Sequence, residues 1–324
     1  MRRLGLSAFG LAASLLLALA SPARAQDYPP GGRAITVIVP YAPGGGTDTS
    51  ARQAMAILAQ TLHATINVVN REGAASQVGL TELVRAKPDG LTLAYAVLPT
   101  VATHYLDPKR QAIYTRKSFQ PIAMHWVSWM MLAVKADSPF RSLKDLVEAA
   151  RAAPGAIKIS DSGLLGTPHS AALALELAAG VRFSSVHFGG GAPSVTALLG
   201  GHVDVLAGGV SDGLPNLRAG NFRILGVASD VPDAAMPEIP TMRSQGYDVL
   251  MASIGGLVAP AGTPRPIVDR LSAEMKKIVE SPEHRKQLAD FGTAPYFHGP
   301  EEFDRLWQDN EARVTPLLAQ LQNR

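Results

Sequence analysis

The chain has 324 residues, 47% of them hydrophobic and 18% charged, with a formal net charge of +3 and no cysteine. That length and balance fit a globular protein with room for two cored domains and exclude a disordered chain. The missing cysteine excludes disulfides, thiolate metal sites, cysteine nucleophiles and a lipid anchor on an N-terminal cysteine.

The chain opens "MRR", continues "LGLSAFGLAASLLLALA" and reaches "SPARAQ". A positive start, an apolar stretch and the Ala23-x-Ala25 pattern predict a signal peptide over 1–25, cleaved after Ala25, and hence export. A membrane anchor is the alternative, but Arg24 and the small residues around it favour cleavage, and no later apolar run has spanning length. Arg2-Arg3 lacks the surrounding pattern of a twin-arginine signal. Removing 1–25 takes away three arginines and no acid, leaving 27 basic against 27 acidic residues. The mature chain is formally neutral, which argues against a nucleic-acid partner.

From Ile35, short apolar runs alternate with helical periodicity, the pattern of an α/β protein built on mostly parallel sheets. "AITVIV" reads as a buried strand and "DTSARQAMAILAQTLH" as a helix capped by Thr47, Asp48 or Thr49. Strand "INVVN", helix "QVGLTELVRA", turn "KPDG" and strand "LTLAYA" follow. "LPTVATHYLDPKRQAIYTRKSFQP" reads as irregular, then "WMMLAVKAD" as a strand. A second alternating set comes next: helix "SLKDLVEAARA", strand "IKIS", helix "HSAALALELAA", strand "SVHF", helix "APSVTALLG", and strands "VDVLAGG" and "RILGVAS". After the proline-rich "SDVPDAAMPEIPTM" come strand "GGLVAP" and three helices with polar outer faces. Those helices cannot complete a sheet domain alone, so they are expected to return and cover the first sheet. The prediction is two lobes, 26–125 with 231–324 and an inserted 126–230, with crossings near 126–134 and 223–230. A cleft between such lobes is where a small ligand binds.

The residues also resemble a known family. "ITVIVPYAPGGGTDTSAR", "VVNREGAASQVG", "KPDGLTLAY", "HFGGGAPSVTALLGGHVDV", "LPNLRAGNFRILGVAS", "EIPTMRSQGY" and "GLVAPAGTP" occur in the order seen in Bug/TctC-type receptors of tripartite tricarboxylate transporters. The resemblance covers nearly the whole mature chain. It implies a two-lobed periplasmic-binding-protein fold of the Venus-flytrap, type II kind, a periplasmic location and delivery of a small carboxylate to integral-membrane transporter subunits. It implies neither an enzyme nor a cofactor. By position, one carboxylate is held by a first loop, Tyr41, Ala42, Gly45, Gly46, Thr47 and Asp48, and a second, Ala75, Ser76 and Gln77. Free amides at a helix start and close approach over glycine suit that role on physical grounds alone.

Some positions depart from the family pattern: Glu72, Ser76 and Gln77 stand where Pro, Gly and Asn are common. Across the cleft, "GLLGTPH" supplies Gly163, Thr167 and His169, and Gly189 and Gly190 replace a bulkier, basic step. These changes point to a ligand of unusual size or one lacking a second carboxylate at that end.

Competing readings weigh less. Thr49 stands where a dinucleotide fingerprint needs its last glycine, and no Gly-Lys-Ser/Thr completes a phosphate loop. Asp48 is expected to cap the helix and act on the ligand indirectly; Asp204 either lines the cleft or orders a turn. His125, His169, His187 and His202 form no HxH or HxxxH pair, so no metal site is expected. Ser160 replaces the glycine that a nucleophile elbow at Ser162 requires. Trp126 and Trp129 read as packing at a crossing. A ligand sensor for a receptor kinase, and a secreted enzyme acting on a carboxylate, are the alternative functions.

Overall fold

A computed structural model describes residues 28–233 and 236–322, so the expected signal peptide lies outside the described residues. β1 (Ile35–Val39) sends Ile35, Val37 and Val39 into one core and Ile38 into the opposite one. That is the alternation of a strand buried on both faces. α1 (Gly46–Leu62) buries Ala51, Ala54, Met55, Leu58 and Leu62 along one stripe and stops at His63, whose φ of 48° is left-handed. β2 (Ile66–Asn70), α2 (Gln77–Val84), β3 (Thr92–Leu98) and α3 (Thr100–Leu106) follow. α3 lies in the stretch expected to be irregular. Its residues from Thr100 to His104 are all buried, so it has no polar face to produce a helical period.

β4 (Phe119–Lys135) is 17 residues long and joins the two halves of the molecule. Phe119 to Trp129 pair with β9 (Ala252–Pro260), and Met130 onward pair with β7 (Val205–Gly209) and β8 (Phe222–Val227). Between these strands come α4 (Leu143–Ala152), β5 (Lys158–Asp161), α5 (Thr167–Ala179), β6 (Ser184–His187), α6 (Gly191–Leu199) and α7 (Val210–Arg218). α7 has no counterpart in the sequence reading; it carries Gly213 and Pro215, residues that weaken a helical pattern. Gly213 is there for space: a Cβ would come within 2.1 Å of Met131 Cε.

The strand order is β2-β1-β3-β9-β4-β7-β5-β6. β1 runs parallel to β2 and β3, and β5 runs parallel to β6 and β7. Each half therefore presents the carboxyl ends of parallel strands, where loops lead into helices. The end of β8 and the start of β9 flank β4 at its midpoint. Met130 N donates to Met251 O, Met251 N to Ala228 O and Ala228 N to Met130 O. Met236 and Met242, from the proline-rich segment, and Val249 after it pack into the cores of the second half.

α8 (Arg265–Glu280), α9 (Pro282–Asp290), the short β10 (Ala294–Pro295) and α10 (Pro300–Gln322) complete the chain. α8 packs on the first half, with Val268, Leu271 and Met275 in its core. α10 reaches both halves. Its Phe303 and Trp307 belong to the first core, but its Leu317 packs into the second. Among the described residues, no helix is long and apolar enough to cross a membrane.

Candidate ligand-binding site

The first loop runs from the end of β1 into α1. Gly45, not Thr47, Asp48 or Thr49, occupies the cap position, and the helix begins at Gly46. Asp48 instead reaches back from the first turn. It accepts hydrogen bonds from Gly44 N at 2.9 Å, Arg52 Nε at 3.0 Å and Asn70 Nδ2 at 2.8 Å. Asn70 Nδ2 also donates to Tyr41 O at 2.9 Å, so both ends of the loop are tied to α1 and β2. Burial alone raises the Asp48 pKa, but the bonds from Arg52, Gly44 and Asn70 outweigh it and hold the carboxyl below its usual range. Residues 42–46 stay exposed. The first intrahelical bond is Thr49 N to Gly45 O, so the amides of Gly46, Thr47 and Asp48 have no acceptor within the helix.

The second loop is strained. Ala74, Ala75 and Ser76 have φ of 47°, 52° and 82°, three consecutive left-handed residues with side chains. Each costs on the order of 1 kcal/mol, so something must hold them. His104, wholly buried on α3, does this: its Nε2 donates to Ala75 O at 2.9 Å while its Nδ1 accepts from Tyr114 Oη at 2.7 Å. Burial, followed by nearby Arg110, lowers the His104 pKa to about 3, which keeps the ring in this neutral form. Arg110 bonds to Ala74 O and Leu164 O, and its own carbonyl accepts from Gln77 Nε2 at 3.0 Å. The Gln77 side chain is thus spent on the scaffold.

Among the described residues, four buried polar groups near these loops have no partner at full hydrogen-bond geometry: Tyr41 Oη and Ser76 Oγ, which lie beside each other, Trp126 Nε1 and Ser128 Oγ. Tyr41 packs against Trp126, and the Ser76 hydroxyl lies beside the Tyr41 phenol. Burial raises that phenol to about 12, tempered by Ser76, so it remains a neutral donor. Trp126 and Ser128 lie two apart on β4 and share a face. Ser128 Oγ would lie 3.1 Å from a Cβ at Gly209, which places it at the start of α7. The start of α7 also meets the first loop. Gly46, Ser211, Asp212 and Phe291 line a cavity of about 180 Å³ between the two halves.

The opposing wall comes from the second half. Thr167, in the first turn of α5, meets Thr100 of α3, Oγ1 to Oγ1, at 3.1 Å. His169 is buried, and its Nδ1 accepts from Leu165 N at 3.0 Å. Gly163 donates its amide to Asp161 Oδ1 at 2.8 Å, and Gly189 and Gly190 lead into α6, where Ser194 Oγ bonds to Gly190 O. Asp161 also faces His187 Nδ1 at 2.9 Å. Asp212 is half-buried at the start of α7 close to Gly191 of α6, where desolvation raises its pKa, with the Gly209 amide opposing. Asp204 lies elsewhere: exposed, it accepts from Lys158 N at 2.8 Å at the amino end of β5.

The structure thus brings Tyr41, Gly46 and Ser76 to one seam, with Thr167 and His169 across it. Sequence reasoning missed His104, Ser128, Thr100 and the Asp161–His187 pair, and gave Trp126 a packing role only. Each depends on a partner distant in sequence, so no local spacing announces it.

Known proteins share this architecture. The TctC family model, described as tripartite tricarboxylate transporter family receptor, matches residues 50–322. A UPF0065 protein from the tcbD–tcbE intergenic region of Pseudomonas sp. strain P51 is 30% identical, covering 96% of this chain and 92% of its own. BugT of Bordetella pertussis is 27% identical over 88% of this chain and 87% of its own. Among solved structures, MatC from Rhodopseudomonas palustris with bound malate superposes with a TM-score of 0.78 at 29% identity, covering 88% of this chain and 99% of that one. An R. palustris protein with adipate gives 0.82 at 26% identity, covering 90% and 97%. The fold is therefore the two-lobed α/β fold of periplasmic binding proteins, and the chain belongs to the TctC family of tripartite tricarboxylate transporter receptors.

Proposed function

We propose that this chain is exported to the periplasm, captures a small carboxylate between its lobes and presents the closed form to integral-membrane transporter subunits, without chemistry of its own. The observation that supports this best is the group of unpartnered donors: Tyr41 Oη, Ser76 Oγ, Trp126 Nε1 and Ser128 Oγ, beside the open amides of Gly46 and Thr47. A buried donor without a partner costs about 1–3 kcal/mol, and a carboxylate's two oxygens are strong acceptors. The neighbouring guanidiniums are already engaged, Arg52 with Asp48 and Asn70, and Arg110 with loop carbonyls. The grip therefore relies on dipoles and neutral donors, which avoids burying a second full charge.

We place the first lobe on both sides of the second, with the passages at Trp129–Met130 and Met251–Ala252. Tyr41, Ala42, Gly45, Gly46, Thr47, Ala75 and Ser76 hold the carboxylate on the first lobe. Gly163, Thr167, His169, Gly189 and Gly190 face the other end of the ligand, while Asp48 and Gln77 fix the loops. Contact with both lobes favours the closed state by differential affinity. Malate and adipate, held by the two related structures, are the first candidates to test alongside monocarboxylates. In a thermal-shift series, a true ligand at a hundred times its Kd raises the melting temperature by roughly 5 °C or more. A shift by neutral amides, with none by any carboxylate, overturns the proposal.

A further inference from the structure

Given the carboxylate grip proposed above, we infer that the solute also carries an ammonium group, and that Asp212, at the start of α7, is the residue that selects it. Asp212 and Gly46 line the same cavity of about 180 Å³ between the two halves. The Gly46 amide has no acceptor within α1, so the first half offers a donor to an anion. From the second half, Asp212 offers a carboxylate, which attracts a cation and repels a second acid group. A short amino-carboxylate satisfies both groups, and a dicarboxylate satisfies one.

One oxygen of Asp212 is engaged and the other is open. Oδ2 accepts from Gly209 N at 2.9 Å; among the described residues, Oδ1 has no donor and no basic side chain pairs with the group. Desolvation raises its pKa, as befits a half-buried carboxyl without a counter-charge. Glycine makes room for it: a Cβ at Gly191 would come within 2.5 Å of Asp212 Oδ1. Gly209 opens a second space. A Cβ there would lie 3.1 Å from Ser128 Oγ, 3.2 Å from Ser211 Oγ and 3.6 Å from Asp212 Oδ2, so three side-chain oxygens from β4 and α7 surround one point. An ammonium has three N–H donors, and hydroxyl and carboxylate oxygens accept them. Ser128 is 5% exposed and has no partner at full hydrogen-bond geometry. Its hydroxyl can accept from the ammonium while donating to the carboxylate. Arg218 and Asp290 also line the cavity, but both are exposed and they are opposite in sign, so their fields offset and are screened. A capping carboxylate makes the same bond to Gly209 N, yet a cap alone needs neither the cavity nor the converging hydroxyls.

The test is calorimetry on the mature protein with matched pairs: L-alanine against propionate, L-aspartate against succinate, and 4-aminobutyrate against butyrate. In at least one pair the amino acid should bind ~10–100-fold more tightly than its partner, the gain from a hydrogen bond to a charged group. Asp212→Asn keeps an oxygen for Gly209 N and removes the charge, so it should erase that preference while leaving the affinity of the des-amino acid intact. A purely structural role would instead lower both affinities together. Ser211→Ala, which leaves the Asp212 cap untouched, should narrow the preference and serves if Asp212→Asn fails to fold. Equal binding within every pair, tighter binding of the des-amino acids, or a preference that survives Asp212→Asn overturns the inference and leaves Asp212 as the cap of α7, with the carboxylate grip still standing. Should no carboxylate of either kind bind, the inference falls together with the proposed function.

Discussion

The two walls of the cleft are built on opposite principles. The first-lobe wall is made of backbone amides, hydroxyls and an indole, held in strained conformations by a charged and aromatic scaffold behind it. The second-lobe wall is built instead on ionisable groups, with Asp161 and His169 buried behind the partly exposed His187. On the proposed reading, the first wall would suit any carboxylate, because it reads a group present on all of them, and the second would distinguish one solute from another.

If the first wall depends on its scaffold, acid should damage it most. The folded pKa of His104 is about 3 against a usual 6.5, so the unfolded chain takes up a proton that the folded chain refuses. Stability is then fully present above pH 6.5 and is lost progressively as pH falls from there towards 3, by a few kcal/mol in all. His125, lowered by burial and by the adjacent His284, works in the same direction. Urea melts across that range should show the loss, and His104→Gln should flatten the profile; an unchanged slope in that variant removes His104 from the account. Next in size, Asp48→Ala should cost roughly 2–3 kcal/mol in urea unfolding, since Gly44 N and Asn70 lose their acceptor. The share of Arg52 in that figure is small because the guanidinium is half-exposed.

The donors that face the ligand should behave differently from the scaffold. Tyr41→Phe and Ser76→Ala should each weaken carboxylate binding by ~10–100-fold, the worth of a hydrogen bond to a charged group. Neither should lower the melting temperature of the unliganded protein, since each removes a buried donor that has no partner there. Equal losses of affinity and stability would make these residues scaffold too, and the distinction within the first wall would collapse. The smallest effect is expected for Ala75→Gly. It relieves a φ of 52° and should stabilise the protein by ~0.5–1 kcal/mol, while costing a severalfold loss of affinity as the loop becomes less preorganised. Calorimetry on the variant tests both halves of that expectation.

Much of the fold was legible because alternation and helical period are local. β1, α1 and the second set of strands and helices lie where their patterns put them. α3 and α7 escaped for opposite reasons: one is buried along most of its length and so has no period, the other carries Gly213 and Pro215. The glycine loop of the site was legible as well, but its mechanics were not. Asp48 looks like a cap in sequence and proves to be a brace behind a glycine cap. His104 holds a carbonyl 29 residues away, and Asp161 meets a histidine 26 residues away, distances at which sequence spacing carries no signal.

α10 is a third link between the lobes, though the backbone passes between the sheets only twice. At 23 residues it is about 35 Å long, with Phe303 and Trp307 anchored in one core and Leu317 in the other. Pro316 lies inside it and cannot donate to the carbonyl of Ala312, so the rod has a soft point beside its second anchor. If the lobes part as proposed, opening would have to flex that point or peel off the last turns. The helix would then act as a check-strap on how far the jaws part, and a change at Leu317 would retune capture without touching the solute.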